Sequence, residues 1–236
     1  GYKVSHILDN DKAASEAMYD ERAAGYDPTT QTYEKGRKVA GDYEWVDKDG
    51  SGTITAKDQF VLGYLVPTTT GGFNTTVKIK DFEIYASFDY ALGHVIYDRQ
   101  ISLVNSGAQS GYLNPTKDVL NYWSASGDAA KTRYARFDVE DGSDNGQWNH
   151  YRTSDENTYK GDYLSFRELK VSYNFPRTIL NKTQIKAAQV YFSGQNICCF
   201  SQYPGYMTEY SSASRNLSDG NYPQPRIWTL GLNLTF

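Results

Sequence analysis

From Trp228 to Phe236 apolar and polar residues alternate without a break. Trp228, Leu230, Leu232, Leu234 and Phe236 share one face, and Thr229, Gly231, Asn233 and Thr235 share the other. A period of two predicts a β-strand with one face in an apolar medium. The same period returns at four other places. In Gly71 to Lys80, Phe73, Thr75, Val77 and Ile79 lie on one face. In Phe82 to Tyr90, Phe82, Ile84, Ala86, Phe88 and Tyr90 oppose Glu83, Tyr85, Ser87 and Asp89. In Tyr163 to Phe175, Arg167, Leu169, Val171, Tyr173 and Phe175 oppose Glu168, Lys170, Ser172 and Asn174. In Ala188 to Asn196, Val190 and Phe192 oppose Gln189, Tyr191 and Ser193. Lys80-Asp81 predicts a tight turn that joins the first two of these into a hairpin. Tyr2 to Leu8 reads as a short further strand, and the Ala-rich run Lys12 to Ala24 as a helix.

Between these runs the pattern is lost, and the lengths of the gaps are informative. Long connections (9–70, 91–162 and 199–224) alternate with short ones (Lys80-Asp81 and 176–185). Antiparallel strands joined alternately by short and long segments are the arrangement of outer-membrane barrels, with short periplasmic turns and long outer loops. Glu83, Asp89, Glu168 and Lys170 on the polar faces suit a wet lumen better than a dry core. The expected fold class is therefore all-β, an antiparallel transmembrane β-barrel segment. About six strands are visible, whereas such barrels begin at about eight, so the segment reads as part of a larger barrel. On this reading the terminal strand runs inward, its Trp228-to-Phe236 face meets lipid, and it closes against a strand outside the chain. The start at Gly1, with neither Met nor signal peptide, fits a sequence whose true beginning lies elsewhere.

Composition narrows the reading only a little. The 236 residues carry 24 basic and 28 acidic side chains, a net charge of −4, which gives no reason to expect a nucleic-acid partner. A hydrophobic share of 39% with 21 Tyr fits strands that need only alternate apolar residues. Secreted carbohydrate-binding β-proteins share that bias. No run of about twenty apolar residues exists, so no transmembrane helix is expected. The two cysteines, Cys198 and Cys199, are adjacent and have no metal-type spacing. His6, His94 and His150 are dispersed, and no hydrolase, phosphate-loop or zinc-protease motif is present, so no enzyme is expected.

One stretch carries chemistry. In Asp47-Lys-Asp-Gly-Ser-Gly-Thr-Ile-Thr-Ala-Lys-Asp58, oxygen-bearing side chains stand at the first, third, fifth and twelfth positions (Asp47, Asp49, Ser51, Asp58) and Gly52 at the sixth. That is the register of a calcium loop, in which Thr53 offers its backbone carbonyl and Thr55 can hold a water. Asp at the twelfth position is shorter than the usual Glu. Ca²⁺ is expected over Mg²⁺, as a brace for a long outer loop. The acidic run Asp138 to Asp144 fits no such register and reads as a solvated loop. Trp123, Trp148, Tyr151, Tyr203, Tyr206, Tyr210 and Tyr222 fall in the long connections, where they could stack on ligand or simply pack the loops.

Several stretches together resemble the C-terminal portion of the SusC/RagA family, the TonB-dependent outer-membrane transporters of Bacteroidota. They are Gly1-Tyr-Lys-Val, Gly41-Asp-Tyr-Glu-Trp-Val followed by the Asp-rich loop to Asp58, Gly161 to Pro176 ending Tyr-Asn-Phe-Pro, Val190-Tyr-Phe-Ser-Gly-Gln-Asn196, and Tyr222-Pro-Gln-Pro-Arg226 with the ending at Phe236. Cys198-Cys199 and Met207-Thr208 depart from the family pattern. The resemblance implies nutrient import, of glycan or peptide, through a barrel of about 22 strands. It implies as partners the remainder of the same transporter, meaning its plug and N-terminal barrel strands, and a SusD-like surface lipoprotein. TonB would act through the plug, which this sequence does not include. The setting implied is the outer membrane, with the loops extracellular. The alternative from the residues alone is a secreted, calcium-stabilised carbohydrate-binding β-domain.

Overall fold

The computed structural model describes residues 1–27, 29–30, 32–105, 114–137, 150, 152–181, 183–205, 217–218 and 224–236. In chain order the strands are Val4–Ile7 (β1), Tyr19–Asp20 (β2), Ala24–Asp27 (β3), Thr32–Lys35 (β4), Tyr43–Trp45 (β5), Thr53–Ile54 (β6), Thr69–Ile79 (β7) and Phe82–Leu92 (β8). Val95–Asp98 (β9), Thr158–Lys160 (β10), Tyr163–Asn174 (β11), Ala187–Ser201 (β12), Leu217–Ser218 (β13) and Ile227–Thr235 (β14) follow. Helices are few and short: Asp11–Ser15 (α1), Arg99–Asn105 (α2) and Arg177–Leu180 (α3). Contacts divide the chain into two compact units. One is Gly1–Gly63 with Tyr97–Tyr159 and Leu217–Gly220; the other is Tyr64–Ile96 with Lys160–Asn216 and Asn221–Phe236.

The second unit is one antiparallel sheet in the order β14-β12-β11-β8-β7. The five strands with sustained alternation are the five in this sheet, and they neighbour one another in sequence order. Lys80 turns the β7–β8 hairpin with a positive φ of 54°, closing the two-residue link at Lys80-Asp81. The strand expected at Tyr2 to Leu8 does not join them. Its ordered part, β1, pairs instead with β5 in the first unit, so the sheet holds five strands of the six counted from the pattern. The cause is local: Tyr2 and Ile7 bury against Tyr43 and Trp45, which a place in the sheet would forbid.

The first unit draws on the stretches without periodicity. Its core joins Tyr2, Ile7, Tyr43, Trp45, Ile54 and Ala135, with Trp123 and Met18 packed against it. Trp45 is fully buried, with Tyr2 and Tyr43 rings tilted against it at 5.9 and 5.5 Å. Burying such rings removes large apolar areas from water and explains how two- to four-residue strands hold together. The helix expected over Lys12 to Ala24 is one short turn, α1, capped by Asn10, whose Oδ1 accepts from the Ala13 N–H at 3.0 Å. It stops because Tyr19 and Asp20 are drawn into parallel pairing with Thr53 and Ile54. Asp20, buried completely, meets Arg152 at 2.9 Å, and the guanidinium lies over both the Tyr2 and Trp45 rings. A buried charge pair tolerates this position only because the partners and rings compensate the lost water.

Candidate metal loop and the two faces of the sheet

The Asp47-to-Asp58 stretch folds as a closed loop around its own carboxylates. Gly50 and Gly52 take φ of 73° and 77°, a region glycine enters without strain, and this turns the chain sharply. Asp47 accepts from the N–H groups of Gly50 (2.7 Å), Ser51 (3.3 Å) and Gly52 (2.7 Å). These bonds, that from Gly52 foremost, hold its carboxyl below the usual carboxylate range. Asp58 is fully buried and accepts from the Lys48 N–H at 2.9 Å and the Thr55 N–H at 2.7 Å, closing a capping box on the turn Ala56–Asp58. Carboxylate oxygens of Asp47, Asp49 and Asp58 lie within 4.8 Å of one another. Ser51 Oγ donates to the Thr53 carbonyl at 3.0 Å, so these two oxygens also adjoin. All five residues named from the spacing as ligands are thus gathered in one loop, with three carboxylates converging.

The acidic run Asp138 to Asp144 lies outside the described residues, as do Trp148, Tyr151, Tyr206, Tyr210 and Tyr222. Of the other loop aromatics, Trp123 packs on the first unit's core and donates from Nε1 to Asp9 at 3.4 Å, while Tyr203 is buried; both serve packing. His150 meets Asp42 at 3.0 Å, and His6 is exposed. Cys198 and Cys199 are free thiols.

The sheet divides chemistry between its faces. Cross-strand partners share a face, so the register can be read as rows. Ile79, Phe82, Tyr173, Val190 and Leu232 form one row, and Val77, Ile84, Val171, Phe192 and Leu230 the next. Thr75, Ala86, Leu169, Gly194 and Trp228 follow, then Phe73, Phe88, Phe166 and Cys198. Phe73, Phe88 and Phe166 stack across three strands at 4.8 and 4.5 Å. Trp228 lies parallel to Phe192 at 5.5 Å and covers Gly194, where a Cβ would strike the indole. Much of this face is exposed: Phe73 53%, Ile79 58%, Leu230 76%, Leu232 59% and Phe236 71%. From Leu164 to Tyr173 the face runs ~30 Å along the strand, or roughly 23 Å across a sheet tilted about 40°.

The other face is polar. Lys78 pairs with Glu83 at 3.0 Å, Lys170 lies over the Tyr191 ring at 4.8 Å, and Asn174, Gln189 and Asn233 form a hydrogen-bonded ladder. Arg167 belongs to this face, which corrects the strict alternation that groups it with Leu169. The register shifts between Phe166 and Glu168 against both β8 and β12. This bulge turns Phe166 to the apolar face and carries Arg167 to Asp89, where both carboxylate oxygens are engaged, one of them by Nη2 at 3.0 Å. The cue was present in the sequence, since Phe166 and Leu169 stand three apart where a strand demands an even spacing.

The TonB-dependent receptor P3 of Formosa agariphila is 30% identical over 201 residues, 81% of this chain and 19% of the relative. The TonB-dependent receptor P26 of the same organism is 26% identical over 209 residues. Over more than four-fifths of its length this chain is similar to TonB-dependent receptors. It spans about a fifth of the length of these curated relatives. Among solved structures, the RagAB peptide importer in its closed-closed state superposes with a TM-score of 0.66 at 20% identity, over 90% of this chain and 25% of that one. In its open-open state the importer matches all of this chain with a TM-score of 0.63 at 18% identity. At that identity the likeness is one of fold. No protein-family model matches the sequence.

Proposed function

We propose that this chain forms the C-terminal barrel wall and outer loops of a SusC-like TonB-dependent transporter that imports glycan or peptide across the outer membrane. The observation that carries the reading is the two-faced sheet. A continuous apolar face spans five strands and is open to the surroundings, while ion pairs and amides occupy the reverse face. A soluble sheet of this kind would need a second layer over its apolar face; a bilayer supplies that layer, and the ~23 Å of apolar height is close to the ~25 Å band of outer-membrane barrels. The outer edges of β7 and β14 would continue into further strands of the barrel. A plug within it would take the pull of TonB, and a SusD-like lipoprotein would cover the loops. Localisation to the outer membrane tests the proposal. The native protein should sediment with outer membranes and require detergent for extraction; recovery in the soluble fraction would defeat it.

We further propose that the Asp47-to-Asp58 loop holds Ca²⁺. Asp47, Asp49, Ser51, Asp58 and the Thr53 carbonyl supply the all-oxygen set a hard cation prefers, and a cation would relieve the mutual repulsion of three gathered carboxylates. The ion would brace the loop and take no part in chemistry. Calorimetric titration with Ca²⁺ should give one site; no heat of binding and no stabilisation would overturn it.

A further inference from the structure

We infer that the first unit binds a structural water in a crevice between α2 and the short 3₁₀ turn Asp155–Asn157, held by Ser102 and Asn105. The crevice has a volume of about 30 Å³. One water needs about 10–15 Å³ of such room and an organic ligand about 300 Å³ or more, so the size admits one or two waters and excludes a substrate. Among the described residues its wall includes Ser102 and Asn105 of α2, Tyr43, Tyr122 and Glu156. Ser102 and Asn105 are only 2% and 7% exposed, and neither Ser102 Oγ nor Asn105 Nδ2 meets a hydrogen-bonding group among the described residues. A buried donor left unmatched carries its full desolvation cost, and a buried water is the usual remedy.

The neighbouring bonds select water over an ion. Asn105 Oδ1 accepts from the Thr116 N–H at 3.2 Å and from the Thr116 hydroxyl at 2.9 Å, so the amide end that remains offers N–H donors alone. The occupant must therefore accept from Asn105, which a cation cannot do. It must also donate, because the oxygens around it have spent their hydrogens or carry none. Tyr122 Oη donates to the Asn105 carbonyl at 2.5 Å, and Tyr43 Oη to the Arg133 carbonyl at 3.1 Å. Arg133 engages Glu156 through Oε2 at 3.2 Å, which leaves Oε1 as an acceptor. A halide would face that carboxylate with no hydrogen to give. Water accepts and donates, and the Ser102 hydroxyl can meet it in either role. The water joins α2 to a turn that is itself bonded to β1, where Asp155 Oδ1 accepts from the Val4 N–H at 3.0 Å.

The test is a crystal structure of the intact protein at a resolution that shows ordered waters, with a second crystal soaked in bromide. A peak of oxygen size is expected within hydrogen-bonding distance of both Asn105 Nδ2 and Ser102 Oγ, with no anomalous signal. Empty density, a bromide peak, or a direct bond from either atom to another protein group would overturn the inference. Melting of the purified protein gives a second reading. Ser102→Val, whose methyls expel the water, should melt lower than Ser102→Ala, which leaves room for it; in a dry crevice the added methyls would stabilise and the order would reverse. The difference should shrink in an Asn105→Leu background, where no donor is left to strand. A difference that persists there reports overpacking and counts against the water.

Discussion

Arg167 grips Asp89 with two nitrogens across the β11–β8 pair, although alternation counted along the strand would place the two on opposite faces. The bulge beside Phe166 reconciles them. An extra residue is admitted, the apolar stack of Phe73, Phe88 and Phe166 stays whole, and Arg167, which would otherwise face the apolar side, is turned to a carboxylate. Arg167 also reaches the Gln224 side chain at 3.3 Å, which ties the long connection before β14 to the polar face.

Removing that pair should cost stability without changing the apolar face. A double-mutant cycle with Arg167→Ala and Asp89→Ala is expected to give a coupling of about 1 kcal/mol, since the pair is bidentate but partly exposed. Thermal unfolding of the purified protein reads it. Additive single effects would show the bulge to be fixed by packing alone.

In the acidic loop, Asp49 and Asp58 should behave differently. Asp49 is exposed and accepts from the Ser51 N–H at 3.1 Å, so Asp49→Ala should lower Ca²⁺ affinity at least about tenfold with little change in fold. Asp58→Ala would also strand the N–H groups of Lys48 and Thr55, costing about 1–3 kcal/mol with or without the ion. Calorimetry and melting in excess chelator separate the two effects.

Thr53, the carbonyl ligand of the proposed ion, is the residue that pairs with Tyr19. Chelation should therefore loosen the β2–β6 pairing. The melting temperature should fall in EGTA and return with added Ca²⁺; indifference to EGTA would mean that the β2–β6 pairing stands without the ion.

Acid should destabilise the first unit through Asp42. Burial acts to raise its pKa, but the His150 hydrogen bond and charge and the Arg136 guanidinium outweigh it and hold the carboxyl well below the usual carboxylate range. A depressed folded pKa contributes stability that is complete above the unfolded value, near about 4, and is lost as pH falls below it. Melting temperature should thus decline below roughly pH 4, and Asp42→Asn should flatten that decline while lowering stability at neutral pH.

The apolar face makes the sharpest contrast for the membrane reading. Leu230→Arg, in the row with Val77, Ile84, Val171 and Phe192, should cost about 2–4 kcal/mol in a bilayer and reduce assembled protein. Asn233→Arg, on the polar face, should assemble nearly normally. Equal yields of the two in the outer membrane would place the lipid elsewhere.

The long strands were legible from order alone, because a period of two repeated over a long strand is set by backbone geometry and the medium on each side. The gathering of the Asp47, Asp49 and Asp58 carboxylates was legible for a similar reason: these residues are near neighbours, so spacing already dictates convergence. Tertiary structure decided the rest. The Phe166 bulge depends on what β8 and β12 place opposite β11. The core around Trp45 joins Tyr2, Ile54 and Ala135 from far apart in the chain, through strands too short to show a period. Tyr19, in a stretch that reads as helix, is a strand residue instead because Thr53 pairs with it, and its ring closes over Gly36. Local periodicity reports the medium a strand face meets; which distant residues meet each other is settled only by packing.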